Sequence, residues 1–158
     1  MDWSFGWDEL FFSLINDYKK KSKDPSSKFA AIAVNDDNIP IAFGFNGFPR
    51  KVLDTVDRYE DRDLKYKLVV HAEANVISSA AAEGTSIKNC RLYVDAYPCS
   101  ACMGLLINAR IKEIVLNGDS ILFNDEGFNT RWAESIKITK MMCDESGVKI
   151  RIYHKDKK

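Results

Sequence analysis

Five short apolar runs with very unequal spacing constrain this chain more than any other feature. Phe29 to Val34 and Ile39 to Phe45 are separated only by Asn35, Asp36, Asp37 and Asn38, the composition of a tight turn. The two runs therefore read as an antiparallel hairpin. The later runs, Arg91 to Val94, Glu113 to Leu116 and Val148 to Tyr153, are spaced by helix-length segments. Parallel neighbours need crossovers of about a dozen residues or more, so this half of the chain predicts a partly parallel sheet. The expected fold class is α/β: a three-layer α/β/α sandwich around a mixed central sheet of about five strands.

The helical segments carry their own signals. Trp7, Leu10, Phe11, Leu14, Ile15 and Tyr18 follow an i, i+3, i+4, i+7 pattern, which predicts an amphipathic first helix ended by the Lys-Asp-Pro turn at Pro25. A second helical pattern starts near His71 and runs through Ala82 to a stop at Gly84. Further helices are expected over Ser100 to Arg110, behind Pro98, and over Thr130 to Ser146, stopped by Gly147. Between Asn46 and Tyr66 the periodicity disappears, and a long loop or irregular helix is expected there.

Composition narrows the function. The chain has 158 residues, of which 46% are apolar, and 23 Lys and Arg balance 23 Asp and Glu. One domain over residues 1–158 is expected, large enough to fold without disulfide or metal staples. Zero formal charge argues against a long polyanion as partner, because phosphate neutralisation needs surplus Lys and Arg. Met1 to Phe12 lacks a basic leader ahead of an apolar core, and no window approaches about 18 uninterrupted apolar residues. The expectation is a cytoplasmic protein without membrane partners, whose closely spaced cysteines serve metal binding or catalysis.

Two of the four cysteines have that spacing. His71-Ala72-Glu73 opens one helical segment, and Pro98-Cys99-Ser100-Ala101-Cys102 opens the next. Taken singly, a His is more often a hydrogen-bonded structural residue, an early helical Glu serves the macrodipole, and a Cys-x-x-Cys can be half of a four-ligand structural zinc site. Cys90 and Cys143 are isolated and His154 lies beside the charged tail, so no fourth ligand is evident. One imidazole and two thiolates leave a coordination position for water, which distinguishes catalytic zinc from closed structural zinc. Helix-start amides stabilise thiolates at Cys99 and Cys102, and a nearby Glu73 carboxylate can carry protons. His-x-Glu followed by Pro-Cys-x-x-Cys is the pattern of zinc deaminases, in which the Glu is a general acid and base and not a ligand.

With these residues the chain resembles the cytidine and deoxycytidylate deaminase superfamily, most closely the deoxycytidylate (dCMP) deaminases, over about residues 7 to 153. Ser22-Lys23-Asp24-Pro25-Ser26-Ser27-Lys28 is similar to that family's segment before the first strand, and Gly44-Phe45-Asn46-Gly47-Phe48-Pro49 to its Gly-Tyr-Asn-Gly-x-Pro loop. Ala109-Arg110-Ile111-Lys112-Glu113 and Glu145-Ser146-Gly147-Val148 resemble two further family phrases. The resemblance implies hydrolytic deamination of dCMP to dUMP and ammonia, feeding dTMP synthesis. It implies Zn2+ on His71, Cys99 and Cys102, Glu73 as the proton carrier, Asn46 at the sugar or base, Ala72 at the pyrimidine edge and Lys28 at the phosphate. A small nucleotide as the ligand and a homo-oligomer, dimer to hexamer, follow from the same likeness. Tyr97 and Phe48 are candidates to stack on the base, but a buried aromatic is more often core than ligand-binding, and they stand outside the first-rank site residues.

The resemblance stops at three places. The family's common Gly-Ala at the entry to the first strand reads Phe29-Ala30-Ala31 here. Lys51-Val52-Leu53-Asp54-Thr55 departs from the family's segment after the Asn-Gly loop, near which many relatives bind regulatory dCTP and dTTP, and Asn117-Gly118-Asp119-Ser120-Ile121 lacks a Tyr that several relatives place near the phosphate. The rival readings are deamination of another cytosine nucleoside or nucleotide, including a modified dCMP, deamination of a nucleobase or of tRNA adenosine, and a non-catalytic zinc-binding interaction module.

Overall fold

The computed structural model describes residues 6–157. In chain order the elements are α1 (Trp7–Tyr18), a 3-10 turn (Lys19–Lys21), β1 (Ala30–Val34), β2 (Pro40–Phe45), α2 (Val56–Glu60), α3 (Arg62–Leu68) and α4 (Ala72–Glu83). They continue with β3 (Arg91–Val94), α5 (Ser100–Asn108), β4 (Glu113–Asn117), α6 (Glu126–Arg131), α7 (Ala133–Ser146) and β5 (Lys149–Tyr153). The strands form one sheet in the order β2-β1-β3-β4-β5. β1 runs antiparallel to both β2 and β3, while β3, β4 and β5 are parallel. The mixed five-stranded sheet between helical layers is the three-layer α/β/α architecture expected from the spacing of the apolar runs.

All five residues of β1 are buried, and its alternation serves two different faces. Ala31 and Ala33, together with Leu92, Val94, Ile114 and Leu116, pack toward α4, α5 and α7. Ala30, Ile32 and Val34, with Tyr93 and Val115, meet Phe11, Phe12 and Ile15 of α1. Small alanines on the first face admit α4 closely, and the larger side chains fill the gap to the single helix on the second. Burying the three α1 side chains contributes about 1.5–3 kcal/mol each. Among the described residues no helix is long and apolar enough to cross a membrane.

Several boundaries differ from the sequence expectation. The first helix ends at Tyr18, well before Pro25, because its apolar stripe ends there and the chain tightens into the 3-10 turn before turning extended at Ser22. The region from 46 to 66, read as a loop or irregular helix, contains α2 and most of α3. Asp61 caps α3 by accepting from the Leu64 amide at 3.0 Å. The helix expected to begin at Thr130 begins earlier and is broken at Trp132 (φ −100°, ψ 7°) into α6 and α7. Gly84 and Gly147 adopt left-handed φ of 66° and 80° and stop α4 and α7 as expected.

Candidate active site

The site lies where the chain leaves β2 and β3, beyond the end of the sheet at which β1 begins. An isolated antiparallel bridge carries the chain from β2 to α4: the Gly47 amide donates to the Val70 carbonyl at 3.1 Å and the Val70 amide to Gly47 at 2.8 Å. The next residue, His71, is the N-cap of α4 in an extended conformation (φ −68°, ψ 156°). Asn75 Nδ2 reaches back to the Phe45 carbonyl at 2.7 Å and holds the helix start against β2. Gly44 permits the approach, because a Cβ there would overlap the Ala72 carbonyl oxygen and come within 2.6 Å of the Val76 nitrogen.

Cys99 plays the matching part on the second helix. It is the N-cap of α5 (φ −66°, ψ 161°), one step before the first turn in which the spacing alone had placed it, and its sulfur accepts from the Cys102 amide at 3.5 Å. Both flanks of Cys99 are tied to α7. Thr139 Oγ1 donates to the Pro98 carbonyl at 2.9 Å, and the Ser100 amide donates to Ser135 Oγ at 2.8 Å.

These two helix starts bring His71, Cys99 and Cys102 together. His71 Nδ1 lies 3.5 Å from Cys99 Sγ and 3.6 Å from Cys102 Sγ, and the three ligand atoms fall within 4.8 Å of one another. A tetrahedral zinc with its usual bond lengths to sulfur and imidazole nitrogen sets N and S about 3.6 Å apart, so the donor set fits that ion. The electrostatics agree. A hydrogen bond from the Cys102 thiol, opposed by burial and aided by His71, brings the Cys99 thiol down to about 4. That same bond and burial push the Cys102 thiol up. The pair readily loses one proton but holds the second until a cation supplies compensating charge. His71 is raised, chiefly by its hydrogen bond with Cys99.

Glu73, only 7% exposed, lines the cavity that His71 and Cys99 also line. Burial raises its pKa, against the smaller opposing influence of His71. The cavity has two kinds of wall. Phe29, Tyr97, Phe128, Trp132 and Ile136 form an apolar side, and Asp24, Ser26, Asn46 and Lys65 a polar one. The Trp132 ring meets His71 edge-on with centroids 6.2 Å apart, and Phe128 bridges Phe29 and Trp132. On the polar side Lys65 Nζ donates to Asp24 Oδ1 at 2.8 Å and to Ser26 Oγ at 3.0 Å, a buried pair joining α3 to the segment before β1.

A carboxyl group, an imidazole and one thiol lining a cavity, with the Cys102 thiol 3.6 Å from the same imidazole, suit metal-assisted hydrolysis. Residues 5–117 match the model of the cytidine and deoxycytidylate deaminase zinc-binding region. The chain belongs to that deaminase family. Human deoxycytidylate deaminase is 35% identical over 130 residues, covering 79% of this chain and 72% of the human protein. A deaminase encoded in the luxG 3′ region of Aliivibrio fischeri is 30% identical over 144 residues, 91% of each chain. The fold matches that of dCMP deaminase from cyanophage S-TIM5, crystallised with dCMP and dUMP, at a TM-score of 0.70 and 20% identity, over 97% of this chain and 99% of that one.

Within this deaminase fold the remaining expected site residues have different fates. Ala72 is fully buried at the start of α4 and lines the cavity. Asn46 also lines it, while its side chain braces the first strand: Oδ1 accepts from the Phe29 amide at 2.9 Å and Nδ2 donates to the Ser27 carbonyl at 2.8 Å. Lys28 is exposed and stands outside the lining, although its neighbours Ser27 and Phe29 are part of it. Tyr97, outside the first-rank site residues by sequence, lines the cavity and stacks on Phe123 at 6.0 Å. Phe48 stacks on Tyr59 at 4.3 Å. Phe128, Arg131 and Trp132 are lining residues that sequence reasoning missed, and Lys65 and Tyr66, which resemble the family's residues ahead of His71, line the cavity without having been given a site role.

Proposed function

We propose that this chain is a zinc-dependent dCMP deaminase, a single domain over residues 1–158 that hydrolyses dCMP to dUMP and ammonia. The observation that carries the reading is the convergence of His71 Nδ1 on the sulfurs of Cys99 and Cys102 at zinc-compatible separations, with the buried Glu73 carboxyl in the same cavity. Likeness to relatives named deoxycytidylate deaminase supports the choice of substrate.

His71, Cys99 and Cys102 would hold the ion. When bound, it supplies Lewis acidity that makes water nucleophilic near neutral pH. Glu73 accepts one proton from the attacking water and gives it to the ring nitrogen, then accepts the second from the hydroxyl newly formed on the ring carbon and gives it to the departing amine as the C–N bond breaks. Its raised pKa suits both the taking and the giving. Ala72 contributes the first amide of α4, which has no partner within the helix and is placed to meet a pyrimidine edge. Asn46 retains one amide hydrogen beyond its bond to Ser27 and is placed to hold the sugar. The wall of Phe29, Phe128 and Trp132 excludes water and offers ring faces to a base. In the cell the enzyme works as a cytoplasmic homo-oligomer, a part of the proposal that rests on family likeness and is read by sedimentation velocity.

The test is ammonia release by zinc-loaded protein from dCMP, deoxycytidine, cytidine and tRNA. The expected order places dCMP first in kcat/KM. Deoxycytidine turning over as efficiently as dCMP overturns the monophosphate substrate, and no release from any of the four overturns the enzyme reading.

A further inference from the structure

The catalytic cavity continues outward into a second compartment. Ser26, Lys65, Tyr66 and Arg131 line both spaces, and Tyr59, Glu60 and Arg62 complete the outer one. Its charge is not balanced. Lys65 is neutralised by Asp24, and both side chains are buried, so this pair forms a fixed wall and adds no net charge. Glu60 then stands against two guanidinium groups. Among the described residues neither Arg62 nor Arg131 has a carboxylate partner. Arg62 is braced from the side: its Nη2 donates to Tyr66 Oη at 3.3 Å, and its guanidinium carbon lies 5.5 Å from the centre of that ring. Arg131 ends α6, next to the Trp132 that meets His71.

We propose that this outer compartment binds the 5′-phosphate of the substrate nucleotide, with Arg131 and Arg62 supplying the charge and Ser26 and Tyr66 supplying hydroxyl donors. The inference rests on the nucleotide reading above and gives it the anion site that Lys28 does not provide. A planar guanidinium matches a phosphate with two parallel donors, and the open position of both arginines suits a dianion that keeps part of its hydration. The compartment adjoins the catalytic cavity, so a base at the buried end and a phosphate at the open end extend along one continuous space. The arrangement also places substrate choice on the α6–α7 junction and on α3, neither of which bears a metal ligand.

The experiment uses zinc-loaded full-length protein and the variants Arg131→Gln, Arg62→Gln and Arg131→Lys. Steady-state ammonia release is measured with dCMP and with deoxycytidine, and inorganic phosphate is titrated by calorimetry. In Arg131→Gln the ratio of kcat/KM for dCMP to that for deoxycytidine is expected to fall about tenfold or more, mainly through KM for dCMP. Arg62→Gln is expected to shift the ratio the same way, and Arg131→Lys to retain more of it than Arg131→Gln. Phosphate should bind wild type and lose its heat signal in Arg131→Gln. An unchanged substrate ratio in both Gln variants, or phosphate binding equal in wild type and variants, overturns the compartment. Wild-type protein that does not favour dCMP overturns the nucleotide reading itself. In that case the phosphate titration alone decides whether the compartment is an anion site.

Discussion

Thr139, in the middle of α7 and fully buried, donates its hydroxyl to the carbonyl of Pro98 at 2.9 Å, one residue before the first cysteine of the site. One turn earlier Ser135 accepts from the Ser100 amide, so two hydroxyls spaced i, i+4 on one helix grip both sides of Cys99. The helix that closes the sequence's last crossover thereby fixes the backbone from which Cys99, a proposed metal ligand, projects. Thr139→Val keeps the shape and removes the donor, leaving the Pro98 carbonyl unpaired in the interior. It is expected to destabilise the fold by about 1–3 kcal/mol. Zinc should also transfer faster to a chromogenic chelator than from wild type. Equal transfer rates would show that α7 supports the fold without setting the ligand.

Glu73 and the three proposed ligands, His71, Cys99 and Cys102, are expected to separate under mutation. Glu73→Gln preserves volume and removes the titratable group, so zinc content per chain is expected to stay at the wild-type level while turnover of dCMP falls about 10²-fold or more. Cys99→Ala and His71→Ala are expected to lose zinc. Metal analysis beside the ammonia assay reads both effects, and zinc content unchanged in His71→Ala would remove His71 from the ligand set.

Gly44 is a structural test of how α4 is seated. An added methyl meets backbone atoms of Ala72 and Val76, which cannot turn aside as a flexible side chain can. Gly44→Ala therefore has to push the start of α4 away from β2. The expected cost is about 1–3 kcal/mol or more, read by denaturant unfolding. The same displacement moves His71 and Glu73, so kcat should fall beyond any loss of folded protein. Wild-type kcat in the folded fraction would mean that α4 relaxes without disturbing the site.

Periodicity and spacing made the sheet, its hairpin and the two helix starts legible. β1 to β4 each contain buried residues and β5 is partly covered, and His-x-Glu with Pro-Cys-x-x-Cys names its chemistry by composition. The elements that shape the substrate side were not legible for a physical reason. α2, α3 and α6 span five, seven and six residues, too short for a 3.6-residue period to emerge. The available signals were Asp61 and Asp125 as caps, each accepting from the amide three residues on. Lys65 reads as one charge in a charged run, and only the fold brings it to Asp24, 41 residues away. Lys28 fails in the opposite sense: it stands between two cavity residues, Ser27 and Phe29, and is itself exposed.

Far from the site, Asp8 joins α1 to the last strand and gives the fold an acid-sensitive link. Arg151 donates to it through Nη1 at 2.6 Å and Nη2 at 3.1 Å, and Tyr93 Oη donates at 2.6 Å. Burial works to raise the pKa of this carboxyl, but the Arg151 and Tyr93 hydrogen bonds and the positive charge of Arg151 hold it below the ordinary carboxylate value. A carboxylate depressed in the folded state binds protons more tightly when unfolded. Its stabilisation is therefore complete above the unfolded value of about 3.9 and is lost as pH falls through the folded value. The Asp8 and Arg151 side chains are 24% and 38% exposed, so screening by solvent reduces the contribution to about 1–2 kcal/mol. Asp8→Asn should be less stable than wild type by that amount at pH 7, and the difference should shrink at pH 3, as read by urea unfolding at both values. A gap of the same size at both would place the contribution of Asp8 in its packing and hydrogen bonds alone, independent of its charge.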